Sequence, residues 1–163
     1  MPDVTIRDAF AGDDAAIWAI LEPVIRDGTT YPIDPVATRE DAFAYWFSPG
    51  KQVFVAEAGG AVVGTYYLKA NSTGPADHVA NAGYMVHPAA RGRGVASAMA
   101  RDSFARARAL GFHAMQFNLV IAANIHALKL WRALGMEEVG RLKEAFRHPA
   151  KGLVDAVVMY KLL

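Results

Sequence analysis

The sequence predicts an α/β protein in which helices cover the faces of one mixed central sheet. Short apolar runs alternate along the chain with segments whose apolar residues recur at helical spacing. Two of the apolar runs flank a Gly-Gly pair, which is typical of an antiparallel hairpin. The 163 residues suit one ordinary domain and no repeat or change in composition divides them, so we expect a single domain over residues 1–163.

The first half of the chain is predicted to contain a strand, two helices and the hairpin. A short apolar run from Val4 to Arg7 predicts the strand. The spacing of apolar residues from Ile17 to Ile25 predicts a helix that Gly28 closes, and Pro23 should kink this helix or end its regular part. Thr38 precedes a second helical segment. The hairpin strands are expected at Val53–Ala58 and Ala61–Leu68, around Gly59 and Gly60.

The second half is predicted to contain three strands and two helices. An Ala-rich helix follows a Gly-rich turn and ends before Gly111, and a second helix begins at Asn124 and ends at Gly135. Val139 and the region beyond Leu142 are too weakly patterned to assign. The other expected bounds are a strand at Val79–Val86, the Ala-rich helix at Gly94–Leu110, a strand at Met115–Ile121 and a last strand at Leu153–Leu162.

Composition excludes several classes of function. The chain has no cysteine, so disulfides, thiolate nucleophiles and Cys-ligated metals are excluded, and we expect no metal cofactor. Seventeen basic and sixteen acidic residues leave a formal net charge of +1, which does not favour nucleic acid or an anionic membrane as a partner. The N-terminus does not resemble a signal peptide and no apolar run is long enough to span a membrane, so we expect a cytoplasmic protein.

The turn that joins the strand ending at Val86 to the Ala-rich helix has the features of an anion site. Amides at a helix start are unpaired and the helix dipole adds partial positive charge there. Gly92 and Gly94 let a phosphate approach the backbone, and Arg91 and Arg93 add full charges beside it. These features predict a phosphate-binding turn.

Other interpretations of this turn are a purely structural tight turn, a P-loop and a dinucleotide-binding turn. A P-loop needs Gly followed by Lys and Ser or Thr, whereas this helix starts with Gly94, Val95 and Ala96. A dinucleotide fingerprint needs a third glycine and an acidic residue at the end of the next strand, where the chain has Asn118 and Val120. The P-loop and dinucleotide interpretations therefore fail, and the tight turn remains as the alternative.

Two motifs of the chain resemble the GNAT (Gcn5-related) N-acetyltransferases. The family signature of Gln or Arg, two residues, Gly, one residue, then Gly or Ala corresponds to Arg91, Gly94 and Ala96 after a strand. Its second motif is an Asn, an Ala, an aromatic residue and a Leu-Gly-Phe ending. The corresponding residues here are Asn124, Ala127, Trp131 and Leu134-Gly135-Met136.

The resemblance implies a fold, a donor and a mechanism. The fold would be a mixed, mostly antiparallel sheet of about six to seven strands with splayed central strands and about four helices. The donor would be acetyl-CoA, attacked directly by the acceptor amine, and dimers are common in the family. The residues it implies for the donor are Met85, Val86, Arg91, Gly92, Arg93, Gly94, Val95, Ala96, Asn124, Ala127 and Trp131.

For catalysis, the resemblance implies backbone donors near Tyr84, Met85 and Val86, whose amides the splay would leave free. Three asparagines near strand ends could hold the pantetheine arm, the substrate or the developing charge, or could simply form turns. The residues expected to be catalytic are Asn81, Asn118, Asn124 and Tyr84.

The chain also departs from the family pattern. Trp131 stands where most relatives have a tyrosine acid, and an indole cannot replace a phenol as a proton donor, so packing is its expected role. No carboxylate lies on the strand from Val79 to Val86, where many relatives carry a base. Candidate bases are Asp77, His78, His87 and His126, none of which is singled out by spacing.

The expected acceptor is a small-molecule amine, such as an amino acid or an analogue. The segments Asn81–Val86 and Phe117–Val120 resemble a GNAT subgroup that acts on proline-like secondary amines. Alternatives are a protein N-terminal or lysine acetyltransferase, a catalytically silent acyl-CoA-binding module, and a nucleic-acid-binding domain that uses Arg91 and Arg93. A homodimer is the expected assembly.

Overall fold

One sheet of seven strands, in the order β1-β2-β3-β4-β5-β7-β6, organises the computed structural model, which describes residues 3–163. Neighbouring strands are antiparallel except for the parallel pair β4 and β5. The strands are β1 (Thr5–Asp8), β2 (Gln52–Ala58), β3 (Ala61–Ala70), β4 (Val79–Val86), β5 (Ala114–Ile121), β6 (Glu137–His148) and β7 (Gly152–Leu162). The helices are α1 (Asp14–Asp27), α2 (Arg39–Trp46), α3 (Val95–Ala109) and α4 (Ile125–Ala133).

Each face of the sheet is covered by one pair of helices, because successive side chains of a strand point to opposite faces. Helices α1 and α2 pack on the face that carries Val55, Tyr67 and Met85, and we call it the α1/α2 face. Helices α3 and α4 pack on the opposite face with Tyr66 and Ala82, and we call it the α3/α4 face. The expected sheet with helices on both faces is therefore confirmed.

Of the two effects expected of Pro23, the end of the helix is wrong, since α1 contains Pro23 and continues to Asp27 with Gly28 as its C-cap. Strand β6, in the region that was too weakly patterned to assign, forms the edge of the sheet and buries only Phe146. An edge strand that is exposed on both faces has no reason to alternate apolar and polar residues. Its ladder with β7 also shifts register twice, between Glu138 and Gly140 and between Leu142 and Phe146.

The two central strands pair only at one end. In the parallel ladder of β4 and β5, Val79 lies opposite Ala114 and Ala80 opposite Met115, and no further pairs follow. Beyond Ala80 the strands separate, which leaves a gap beside the second half of β4 and confirms the expected splay. Within residues 3–163, every helix is too short or too polar to cross a bilayer.

Candidate functional site

The turn after β4 presents a row of unused backbone donors. Gly92 and Gly94 have positive φ angles of 76° and 78°, and Gly94 precedes the first turn of α3 without any side-chain cap. Within the described part of the chain, the N–H groups from Gly92 to Ala96 donate to no protein acceptor. Arg91 and Arg93 are exposed beside them. These N–H groups and the helix dipole suit a phosphate ligand.

The backbone of β4 directs alternate amides toward β3 and toward the gap. His87 N–H donates to Val63 O at 2.8 Å, so the alternation places the Met85 N–H on the β3 side and those of Tyr84 and Val86 on the gap side. The Tyr84 N–H donates to Tyr31 Oη at 2.6 Å, and Tyr31 Oη donates to Tyr84 O at 2.9 Å. The expectation of free amides is therefore wrong for Tyr84 and Met85, and Val86 alone of the three fits it.

The side chain of Tyr84 points to the α3/α4 face. Ser103 Oγ donates to Ala100 O at 2.8 Å, so Tyr84 Oη is the donor in its 2.7 Å contact with Ser103 Oγ. Burial raises the pKa of Tyr84. The Trp131 ring is buried against Tyr84 and Phe117, with centroid distances of 5.1 and 4.8 Å. Trp131 thus packs in the core, in agreement with the role expected for it.

Two of the three expected asparagines lie beside the gap on the α1/α2 face. Asn81 is buried, and its Nδ2 donates to Gln116 O at 2.9 Å, which ties β4 to β5 just beyond their last pair. Asn118 Nδ2 donates to Asn71 Oδ1 at 2.7 Å, and Asn118 Oδ1 accepts from Gln116 Nε2 at 3.0 Å. These side chains form a polar network of amides.

Asn124 has a structural role that the turn-former interpretation anticipated. Its Oδ1 accepts a hydrogen bond from the Ala127 N–H at 3.1 Å and so caps the first turn of α4. The same contact engages the backbone amide of Ala127, a residue that the resemblance assigns to the donor site.

The candidate bases remain dispersed. Asp77 and His78 are exposed ahead of β4, and His126 is exposed on α4. His87 Nδ1 accepts from the Ala89 N–H at 3.2 Å and so caps a short turn. The structure therefore singles out none of the four as a base.

Aromatic residues wall the α1/α2 face near the gap. Trp46 packs against Tyr67 and Tyr31 with centroid distances of 4.9 and 6.0 Å. Lys51 Nζ lies 3.9 Å from the centroid of the Tyr45 ring and 4.0 Å from that of Tyr67. Sequence reasoning missed Lys51, although it precedes Val53 by two residues and the strand period therefore places it on the same face.

Basic residues also line an open groove of about 510 Å³ between α3 and α4. Arg101, Arg108 and Lys161 lie along it, whereas Arg106 is paired with Asp102 at 2.7 Å. Among the described residues no group of three or more His, Asp or Glu side chains could hold a metal ion.

The chain is similar to known acetyltransferases in sequence and in structure. Residues 17–136 match the model of the acetyltransferase (GNAT) family. The N-acetyltransferase aca1 of Schizosaccharomyces pombe is 32% identical, over 82% of this chain and 72% of that protein. A GCN5-related N-acetyltransferase from Kribbella flavida is 40% identical with a TM-score of 0.90, over 98% of each chain.

A further solved structure is that of a phosphinothricin acetyltransferase from Sinorhizobium meliloti in complex with AcCoA. It is 27% identical with a TM-score of 0.85, over 98% of this chain and 88% of that one. The family match spans both of the motifs that carried the resemblance. This chain therefore belongs to the acetyltransferase (GNAT) family, as an N-acetyltransferase whose donor is acetyl-CoA.

Proposed function

We propose that this enzyme acetylates the amine of a small molecule, an amino acid or an analogue of one. The observation that carries the proposal is the position of Tyr31, which holds the loop after α1 against β4 at the gap. Together with Trp46 and Tyr67 it gives the α1/α2 face a close aromatic wall, which suits a compact acceptor better than a protein chain. The similarity to a phosphinothricin acetyltransferase supports the same acceptor class.

The donor fits the turn after β4. The unused N–H groups from Gly92 to Ala96 would hold its pyrophosphate, with Arg91 and Arg93 adding charge. A Cβ placed on Gly92 would meet no atom within 4 Å, so the turn has room for a phosphate at that position. This part of the proposal depends on unpaired donors and open space.

The gap beside β4 is where the reacting groups would meet. Acetyl-CoA supplies the acetyl group as a thioester. The Val86 N–H points into the gap and would stabilise negative charge that develops on the acetyl oxygen. Asn81 and Asn118 would orient the acceptor from the α1/α2 face. Because the candidate bases are dispersed, an amine that arrives neutral or loses its proton to water fits the structure best.

We extend this proposal to the kind of amine that is acetylated and to the oligomeric state of the enzyme. The resemblance of Asn81–Val86 and Phe117–Val120 to the subgroup that acts on proline-like amines extends the proposal to acceptors of that kind. The exposed edge strand β6, with Val139 58% and Leu142 43% exposed, supports a homodimer in which a second copy covers this edge.

An amine panel tests the proposal. The enzyme is mixed with acetyl-CoA and with amino acids, imino acids, polyamines, N-terminal peptides or lysine peptides, and release of free CoA is followed. We expect turnover of one or more amino acids or analogues and little turnover of the peptides. Faster acetylation of the peptides would overturn the small-molecule acceptor, and no turnover of any amine would count against the assigned reaction.

A further inference from the structure

Lys51, which immediately precedes β2, lies side by side with Lys69 and Asn81 of the next two strands at the centre of the sheet, and we call these three residues the row. Lys69 of β3 lies directly opposite Asn81 of β4. On the other side, Gln52 of β2 lies opposite Leu68 of β3, so one further step of the register brings Lys51 opposite Lys69. Asn81 in turn reaches Gln116 O of β5. The row therefore ends at the gap between the central strands.

The side chains of this row point to the α1/α2 face. Tyr67 belongs to the core of that face, and Lys69 follows it at the strand period of two residues. Lys51 Nζ lies 4.0 Å from the centroid of the Tyr67 ring, which places the ammonium on the same face. The Tyr67 ring also lies against Gly83, the residue before Tyr84, since a Cβ on Gly83 would come within 2.7 Å of it. The Lys51 ammonium is thus close to the part of β4 that borders the gap.

The two lysines form a pair of like charges without a counter-ion. Within residues 3–163, no carboxylate forms an ion pair with Lys51 or Lys69, although six other ion pairs occur in that part of the chain. Like charges placed opposite each other on neighbouring strands destabilise a sheet. Burial and the charge of Lys69 lower the pKa of Lys51 to about 8. An anionic ligand between the two ammonium groups would relieve this repulsion.

We infer that Lys51, Lys69 and Asn81 bind a carboxylate of the acceptor and so direct the enzyme to amino acids rather than to simple amines. The inference rests on the proposed small-molecule acetyl transfer and assigns residues to its specificity. Asn81 lies where β4 and β5 begin to separate, so a carboxylate held over this row leaves the amine of the same molecule facing the gap. The donor's phosphates have a separate positive turn at the start of α3, beyond the Val86 end of β4.

Matched substrates and matched variants test the inference. The best acceptor of the amine panel is compared with its carboxamide in the wild type, Lys51→Met, Lys69→Met and the control Lys143→Met, which alters an exposed lysine of β6. We expect the wild type and the control to prefer the acid over the amide by about tenfold or more in kcat/KM, and each of the two row variants to lose most of that preference. An amide acetylated as well as the acid, or a preference kept by both row variants, would overturn the inference.

Two binding measurements separate this inference from the proposed function. First, the affinity for acetyl-CoA, measured by calorimetry, should be unchanged in Lys51→Met and Lys69→Met, and a loss of affinity would mean that the lysines serve the donor. Second, the Lys51 side chain is followed by NMR in the wild type as N-acetylglycine or N-acetylglycinamide is added. We expect the acid alone to raise the pKa of Lys51. This readout needs no turnover, so it stands even if the enzyme acetylates no amine of the panel, and equal responses to acid and amide would refute the carboxylate site.

Discussion

Gly94 has a left-handed backbone conformation and lies at the start of α3. Both properties determine the effect of a substitution at this position. Its φ of 78° disfavours any side chain by about 1 kcal/mol, wherever the side chain points. Its N–H is one of the unused donors of the turn. Gly111, with a φ of 88° and nothing within 4 Å, has the same backbone preference beyond the other end of α3 and is a matched control.

We therefore expect Gly94→Ala to weaken acetyl-CoA binding by about tenfold or more, because a Cβ in the turn displaces a phosphate from its donors. Gly111→Ala should lose a similar amount of stability and keep its affinity. Calorimetric titration with acetyl-CoA and urea unfolding of both variants measure the two effects. Equal affinity in the two variants would contradict the assignment of the turn.

The pH dependence of stability reports on Lys51. Burial first and the charge of Lys69 second lower the pKa of Lys51 to about 8 in the folded protein, from an ordinary value of 10.5. Between these two values the unfolded chain binds more protons than the folded one, so stability should rise with pH across this window. The ionisable groups that face Lys51 are Lys69 of β3 and the phenols of Tyr45 and Tyr67.

The Lys51→Met variant has no ionisable group at position 51, so it lacks this rise of stability with pH. We expect the free energy of unfolding of the wild type to rise relative to that of the variant as the pH is raised from 8 to about 10. Urea unfolding at several pH values in this range measures the difference. Parallel pH profiles of the two proteins would show that Lys51 keeps its ordinary pKa.

Helix α4 is attached to the sheet mainly through one aromatic residue. Its buried residues are Leu128 and Trp131, and the indole packs on Tyr84 and Phe117. The cap at Asn124 orders its first turn. Since α4 has only nine residues, packing rather than intrinsic helix propensity is expected to stabilise it.

Trp131→Ala should therefore lower the free energy of unfolding by about 3–5 kcal/mol, because it leaves a cavity in the core. Ile125→Ala, on the same helix at a side chain that is 71% exposed, should change stability by less than about 0.5 kcal/mol. Urea unfolding monitored by circular dichroism compares the two. A small effect of Trp131→Ala would mean that the indole contributes little to the core.

Strand β6 could not be predicted from the sequence, because it has almost no buried residues. Most of the elements that the sequence predicted have buried faces whose apolar spacing follows the helical or the strand period. Strand β6 buries only Phe146, so its sequence carries no such period. Pro23 does not end α1, because packing of Ile20 and Val24 in the core stabilises the helix across the missing backbone donor.

At the scale of the whole molecule, we expect the protein to sediment as a homodimer. The apolar residues Val139 and Leu142 on the edge strand would become buried against a second copy. Val139→Glu should shift the protein toward the monomer, while Ile125→Glu, at an apolar residue of α4 that is 71% exposed, should leave the assembly unchanged. Sedimentation velocity over a range of concentrations measures both, and a wild type that is monomeric at high concentration would contradict the assembly.

Much of the candidate site could be predicted from the sequence, because the donor turn is local. Arg91, Gly92 and Gly94 lie within four residues of one another, and the free amides follow from helix geometry alone. The roles of Tyr84 and Met85 could not be predicted in this way. Their amides are engaged through the register with β3 and through Tyr31, which lies 53 residues from Tyr84 in the chain.

The sequence by itself determined the order of the helices and of the strands other than β6, the unpaired amides of the turn after β4 and the resemblance to the family, since each depends on residues that are neighbours along the chain. Only the tertiary structure decided that Tyr31 Oη forms hydrogen bonds with the Tyr84 backbone. It also decided that Lys51, Lys69 and Asn81 lie in one row across neighbouring strands. Strand register and loop packing bring these residues together, and both are set by the burial of the whole core rather than by any local pattern.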